Sequence, residues 1–146
     1  MIMKVSVKKI VEAYKMLGEA KVSKLEESEV VKVIKARKAM RPVAEDFEAF
    51  LKDAQDKFKP ECWDDVQKKI SQWQEEGGNT TLTDAEKRGV NTVVVEYQNS
   101  INKAINEELE REIEIEIEKL KDGSDVKLMS ANDWTPNQLD ALDVIL

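Results

Sequence analysis

The segment Glu112–Glu118 alternates strictly between a carboxylate and an isoleucine. In an extended chain, successive side chains point to opposite faces, so the isoleucines would share one face and the glutamates the other. In a helix the same residues would scatter around the axis, and Glu112 and Glu116 would repel each other one turn apart. The pattern therefore predicts a half-buried strand over Glu112–Lys119.

Most of the remaining chain has the spacing of amphipathic helices, in which apolar residues recur in steps of three and four. A short strand over Met3–Val7 is predicted first. The predicted helices are one ending at Gly18, a long one over Ser28–Phe58, one over Glu61–Glu76, a second long one that follows Thr83 and runs to about Leu109, and a short one after Thr135.

Several local signals fix where these elements begin and end. Thr83 with Glu86, and Thr135 with Gln138, match capping boxes. Pro42 interrupts the first long helix, where we expect a kink or a break. The turn Lys121–Ser124 predicts a hairpin with a returning strand over Val126–Met129.

Together these elements predict a predominantly helical α+β fold within a single domain, residues 1–146. Two long helices form an antiparallel hairpin, shorter helices flank it, and a small β-sheet joins Met3–Val7 to Glu112–Lys119. A chain of 146 residues can bury a core without disulfides. The apolar stripes could close within one chain or across a homo-oligomer, and the periodicity does not distinguish these arrangements.

The composition indicates in which cellular compartment the protein works and which kinds of catalysis it lacks the residues for. The one cysteine, Cys62, suits a reducing compartment. No signal peptide or membrane-spanning run is evident, so we expect a cytoplasmic protein that does not associate with membranes. Histidine is absent, which removes the usual general base and metal ligand. The sequence predicts no enzyme, no catalytic residue, no metal and no cofactor; a carboxylate-only, metal-dependent hydrolase is the least favoured alternative.

Charge is distributed unevenly along the chain. The first 41 residues carry eleven basic and five acidic side chains, whereas the rest carry twelve and twenty-five. The basic residues near the amino terminus could meet phosphates, but the net charge of −7 disfavours direct nucleic-acid binding. Pairing between elements of the fold is the simpler account of the asymmetry.

The segment Glu107–Glu118 holds the acidic candidates for protein interaction, namely Glu107, Glu110, Glu114, Glu116 and Glu118. One interpretation is that this segment imitates a nucleic-acid backbone and occupies a basic groove of a partner. The other is a solvated face whose charge discourages pairing between sheet edges.

Trp134 is the remaining candidate for protein interaction. It directly precedes the capping residue Thr135, where it could pack as a hydrophobic staple across to Leu139. The staple is the favoured interpretation, and the alternative is an exposed anchor for a partner, because tryptophan is enriched in binding hot spots. Trp63 and Trp73 fit the inner face of their helix and are predicted to be core residues.

The order of elements resembles a family of small uncharacterised proteins encoded by phages and prophages, mainly of Gram-positive bacteria. The similarity lies in the short amino-terminal strand and helix, the long helix around Ala39–Pro42, and Asn106–Glu110 running into the Glu/Ile strand. It is strongest in Trp134–Leu142, since family members end in a Thr-Pro step followed by a short Leu-rich helix. The resemblance implies a phage context and no catalytic site.

The sequence therefore predicts a non-enzymatic phage or prophage accessory protein of the host cytoplasm. It would act through contacts with a phage or host protein, either in particle assembly or against a host system. The alternative is an acidic decoy that inhibits a nucleic-acid-binding host protein.

Overall fold

A computed structural model describes residues 2–146 of the chain. In chain order the elements are β1 (Ile2–Ser6), α1 (Val7–Glu19), α2 (Glu27–Phe58), α3 (Trp63–Glu76), a single 3₁₀ turn (Gly77–Asn79), α4 (Asp84–Glu110), β2 (Glu112–Glu116), α5 (Ser124–Asn132) and α6 (Pro136–Asp140). The predicted fold class is confirmed: the protein is predominantly helical, both long helices are present, and β1 pairs with β2 in an antiparallel sheet.

The chain divides into two compact units. The first contains the residues up to Phe50 together with Glu107–Leu146, and the second is Leu51–Asn106. The first unit therefore holds the sheet, α1, α5, α6 and one part of each long helix. The prediction of one domain for the whole chain stays a prediction.

The first unit has an extensive aliphatic core. Residues from the strands, helices and the carboxyl-terminal turn contribute to it, and its largest fully buried apolar side chains are Ile10, Met40, Ile117, Leu128, Leu142 and Ile145. The guanidinium carbon of Arg37 lies 4.5 Å from the centre of the Tyr14 ring, which links α2 to α1. The aliphatic core follows from the scarcity of aromatic residues.

The second unit has a thinner core, in which Ala54, Val66, Leu82 and Val90 are buried. The Trp63 and Tyr97 rings lie 4.6 Å apart, and the Tyr97 hydroxyl donates to the Gln55 carbonyl at 2.9 Å. These contacts join α2, α3 and α4 within this unit.

Both predicted capping boxes are present. The Glu86 N–H donates to Thr83 Oγ1 at 3.1 Å, and the Thr83 N–H donates to Glu86 Oε1 at 3.2 Å. Thr135 and Gln138 make the same reciprocal pair, with Pro136 at the first helical position. The polar residues before each helix therefore satisfy amides that the helix itself leaves open.

The predicted returning strand over Val126–Met129 is wrong, because these residues lie in α5. Gly123 adopts a φ of 91°, which ends the preceding turn and starts a helix instead of a hairpin. Asn132, the last residue of α5, fixes this helix against the loop after α1: its Oδ1 accepts from the Lys21 N–H at 2.6 Å and its Nδ2 donates to the Lys21 carbonyl at 3.0 Å.

Two smaller expectations also need correction. Helix α2 continues through Pro42, so the expected break is wrong, whereas the alternative of a kink stays a prediction. Pro42 and Lys38 are both exposed, so the carbonyl that loses its donor lies on the side of the helix where water can satisfy it. The first strand is shifted by one residue toward the amino terminus, because Val7 begins α1, and the second is shorter than predicted, because β2 ends at Glu116.

Candidate protein-binding surface

The two faces of the sheet differ sharply in burial. On the inner face Met3 pairs with Ile115 and Val5 with Ile113, and Ile115 is only 7% exposed. On the outer face the glutamates of β2 lie opposite Ile2, Lys4 and Ser6 of β1, and all three glutamates are exposed. We call these three residues, Glu112, Glu114 and Glu116, the acidic face.

The other acidic candidates lie at the two ends of the strand. Glu107 and Glu110 are exposed in the last turn of α4, and Glu118 is exposed just after β2. Glu118 lies 3.8 Å from Lys32 Nζ. The structure therefore places the predicted acidic residues along one continuous segment that faces water.

Among residues 2–146, most of these carboxylates form no ion pair, although Lys4 lies directly across the sheet from Glu114. Arg111 Nη2 donates to Glu108 Oε1 at 2.8 Å, and this hydrogen bond raises the pKa of Arg111. Within residues 2–146, Glu107, Glu110 and the acidic face make no ion pair within 4.0 Å. Their charge is therefore available to a partner.

A buried carboxylate that sequence reasoning missed fixes the chain after β2. Glu29 is 2% exposed, and its Oε2 accepts the Lys121 N–H at 2.9 Å. Its Oε1 lies 3.1 Å from Lys32 Nζ. The hydrogen bond from the Lys121 backbone is the main reason why the pKa of Glu29 is lowered, with Lys32 adding to it.

A second ion pair strengthens this attachment. Lys121 Nζ contacts Glu26, and that hydrogen bond lowers the pKa of the Glu26 carboxyl. The only signal in the sequence was the acidic first turn of α2, which has an ordinary explanation in the helix dipole. The partner lies 92 residues away from Glu29, so local patterns could not identify it.

Trp134 occupies an intermediate position. Its side chain is half-buried and packs against the core of the first unit, as does that of Leu139. The backbone N–H of Trp134 donates to the Met129 carbonyl at 3.1 Å. This placement is compatible with the predicted staple and leaves part of the indole accessible; the role of Trp134 in binding stays a prediction.

The second unit holds the other residues that the sequence singled out. Trp63 and Trp73 are half-buried, and Lys87 Nζ lies 5.5 Å from the centre of the Trp73 ring. Cys62 is exposed and lines an open groove of ≈ 430 Å³ with Lys69, Gly89 and other residues of α3 and α4. These residues belong to the second unit, whereas the acidic face belongs to the first.

Two general findings concern the described part of the chain. None of its helices combines the length and apolar character that crossing a bilayer requires. Across residues 2–146, no three or more Asp, Glu or Cys side chains are grouped so that they could hold a metal ion.

Comparisons with protein-family models, curated proteins and solved structures give no match to this chain.

Proposed function

We propose that this chain is a non-enzymatic accessory protein of a phage or prophage that acts in the host cytoplasm by binding another protein. The binding would serve particle assembly or oppose a host system. The phage context is supported by the resemblance of the element order and of the Thr-Pro-capped closing helix. The binding role is supported by the surface chemistry of the first unit.

The observation that carries the binding role is the set of exposed carboxylates without ion pairs. Like charges along one strand repel each other, and within residues 2–146 only Lys4, directly opposite Glu114 but not within 4.0 Å of it, is a cation paired in register with the acidic face. A basic protein surface would relieve this repulsion and would be steered toward the site electrostatically. The acidic face is therefore the proposed contact surface, with Glu107, Glu110 and Glu118 at its ends.

The test compares two charge-reversed proteins. Glu114→Lys with Glu116→Lys alters the acidic face, whereas Glu45→Lys with Glu48→Lys makes the same charge change at exposed positions of α2. Tagged versions would be used to isolate partners from phage-infected or prophage-induced cells. We expect the wild type and the α2 variant to retain a stable partner and the acidic-face variant to lose it.

Failure to isolate a stable partner with the wild-type chain would contradict the proposal. Retention of the partner by the acidic-face variant would move the binding surface elsewhere, with Trp134 as the next candidate. Circular dichroism of each variant would establish that lost binding does not reflect unfolding.

The alternative role, an acidic decoy of nucleic acid, is favoured by the linear order of the carboxylates. Alternate residues of a strand lie about 6.8 Å apart. Successive phosphates of one DNA strand wind around the helix axis, so their through-space separation exceeds their axial spacing of about 3.4 Å and is comparable to this distance. The acidic face holds three such charges in a straight row, so it would imitate only a short stretch of a phosphate backbone. A decoy would release nucleic acid from its captured partner in competition assays, whereas an assembly or counter-defence protein that binds elsewhere would not.

A further inference from the structure

The hydrogen-bonding phase of the sheet shows which backbone groups of β2 are free. The Val7 N–H donates to the Arg111 carbonyl at 2.9 Å, and the register places these two residues opposite each other. In an antiparallel pair, hydrogen-bonded and non-hydrogen-bonded pairs alternate. The pair of Val5 with Ile113 is therefore hydrogen-bonded, whereas the pair of Lys4 with Glu114 is not.

The residues of the acidic face consequently direct their N–H and C=O groups away from β1. The sheet has two strands, so β2 has one open edge. Within residues 2–146 no hydrogen bond reaches the N–H groups of Glu112, Glu114 or Glu116 from this edge. The same three residues thus present unpaired backbone groups at the edge and unpaired carboxylates on the adjoining outer face.

The charge of this edge restricts what can pair with it. A second β2 placed alongside would set glutamate opposite glutamate, and like charges directly opposite each other in a sheet are destabilising. The carboxylates therefore act against self-association through β2, as charged edge strands commonly do. A strand with Lys or Arg at alternate positions would instead form opposite-charge pairs with Glu112, Glu114 and Glu116.

The inner face restricts the intervening positions of such a strand. Ile113 and Ile115 point inward beside the open edge, and Ile113 is only partly buried although it packs against the core. Side chains of an added strand that point the same way would lie next to these isoleucines. Apolar residues fit there, because they would cover the exposed part of Ile113.

We infer that β2 accepts an extended segment of a partner protein as a third strand, in which Lys or Arg alternates with apolar residues. Main-chain hydrogen bonds to Glu112, Glu114 and Glu116 would supply affinity, and the alternating side chains would supply specificity. This inference rests on the proposed function, and it specifies the partner as a basic extended segment.

The test uses a fluorescein-labelled peptide of nine residues that alternates lysine and valine. The full chain is titrated into the peptide, and the fluorescence anisotropy of the peptide is the readout. The control peptide has the same sequence and charge but carries N-methyl groups on its lysines. These are the residues that would lie opposite Glu112, Glu114 and Glu116, so methylation removes the N–H groups that would face β2. Loss of two or three hydrogen bonds should weaken binding about tenfold or more.

A protein variant gives an independent test of the same edge. Glu114→Pro removes an N–H that points to the open edge and breaks no bond to β1, whereas Glu114→Gln retains that N–H and removes one charge. We expect Glu114→Pro to weaken peptide binding about tenfold, and Glu114→Gln to weaken it only about two- to fivefold. Should Glu114→Pro fail to fold, the comparison of methylated with unmethylated peptide still decides.

Equal binding of the two peptides would overturn strand addition, since attraction by charge alone does not depend on the backbone N–H groups. The proposed function would survive that result if the acidic face still captured a natural partner. Strand addition by a basic partner would also be overturned if the unmethylated peptide did not bind, or if the chain formed concentration-dependent polymers that occupy the edge. The polymers would identify a second copy as the occupant.

Discussion

The substitution Ile115→Ala tests whether burial of alternate isoleucines holds β2 in place. Ile115 is 7% exposed, so alanine removes three carbon atoms from an almost fully buried site. Transfer alone accounts for about 2.4 kcal/mol at about 0.8 kcal/mol per CH₂ group. The unfilled space adds to this, so we expect a loss of about 3–4 kcal/mol in the free energy of unfolding, within the range of about 2–5 kcal/mol for such changes.

The assay is urea denaturation followed by the fluorescence of Trp134. The other two tryptophans, Trp63 and Trp73, lie in the second unit, so replacing both with phenylalanine leaves a reporter of the first unit alone. For a slope of about 2 kcal/mol per molar urea, the midpoint should fall by about 1.5–2 M. The neighbour Glu114 provides the matched control, because Glu114→Ala on the exposed face should change stability by less than about 0.5 kcal/mol.

Ile115→Val supplies an intermediate case, with an expected loss of about 0.5–1.5 kcal/mol. This variant keeps the experiment informative if Ile115→Ala does not fold. Equal effects of Ile115→Ala and Glu114→Ala would refute the reasoning, because the two faces of β2 would then contribute alike.

Three further predictions concern other parts of the chain. Folding lowers the pKa of Glu29 below its ordinary value of 4.5, so the contribution of Glu29 to stability is present above that pH and is lost as the pH falls through the lowered pKa. In urea melts between about pH 7 and pH 3, Glu29→Gln should therefore show a smaller loss of stability with falling pH than the wild type. The exposed control Glu27→Gln should not show this reduction. Gly89→Ala, within α4 and with open space around its Cβ position, should raise stability by about 0.5–1 kcal/mol, whereas Gly123→Ala, at a φ of 91°, should lower it by about 1–2 kcal/mol in the same melts. Thr135→Ala removes the cap of α6 and should cost about 1 kcal/mol, which Thr135→Ser should largely restore.

Elements that depend on long periodic patterns could be predicted closely from the sequence. The predicted helix Ser28–Phe58 differs from the observed Glu27–Phe58 by one residue. The strand at Glu112 and both capping boxes were also correct. In each case the residues that decide the structure lie within a few positions of one another, so local chemistry and the tertiary fold agree.

Element α5 shows where local patterns fail. Val126 and Leu128 would share one face of a strand, yet Val126 is 60% exposed and Leu128 is fully buried. Only a helix separates the two environments in this way. Its position is fixed by Leu128 in the core and by Asn132 bonded to Lys21, which lies 111 residues away. That contact is visible only in the folded chain.

One feature of the candidate surface could be predicted from local patterns and another could not. The outward direction of Glu114 and Glu116 follows from alternation and could be predicted. The open edge of β2 could not, because it depends on which residues of β1 form the hydrogen-bonded pairs and on the absence of the expected returning strand.

The open edge gains its importance from the way both ends of β2 are held. At its start the Arg111 carbonyl accepts the Val7 N–H, and beyond its end the Leu120 N–H donates to the Ile145 carbonyl while Glu29 binds Lys121. A partner strand would therefore meet an edge that is already ordered and would spend little binding energy on organising it. An ordered receiving strand whose charge disfavours pairing with its own copy would favour basic partners over self-association, as the proposed binding role requires.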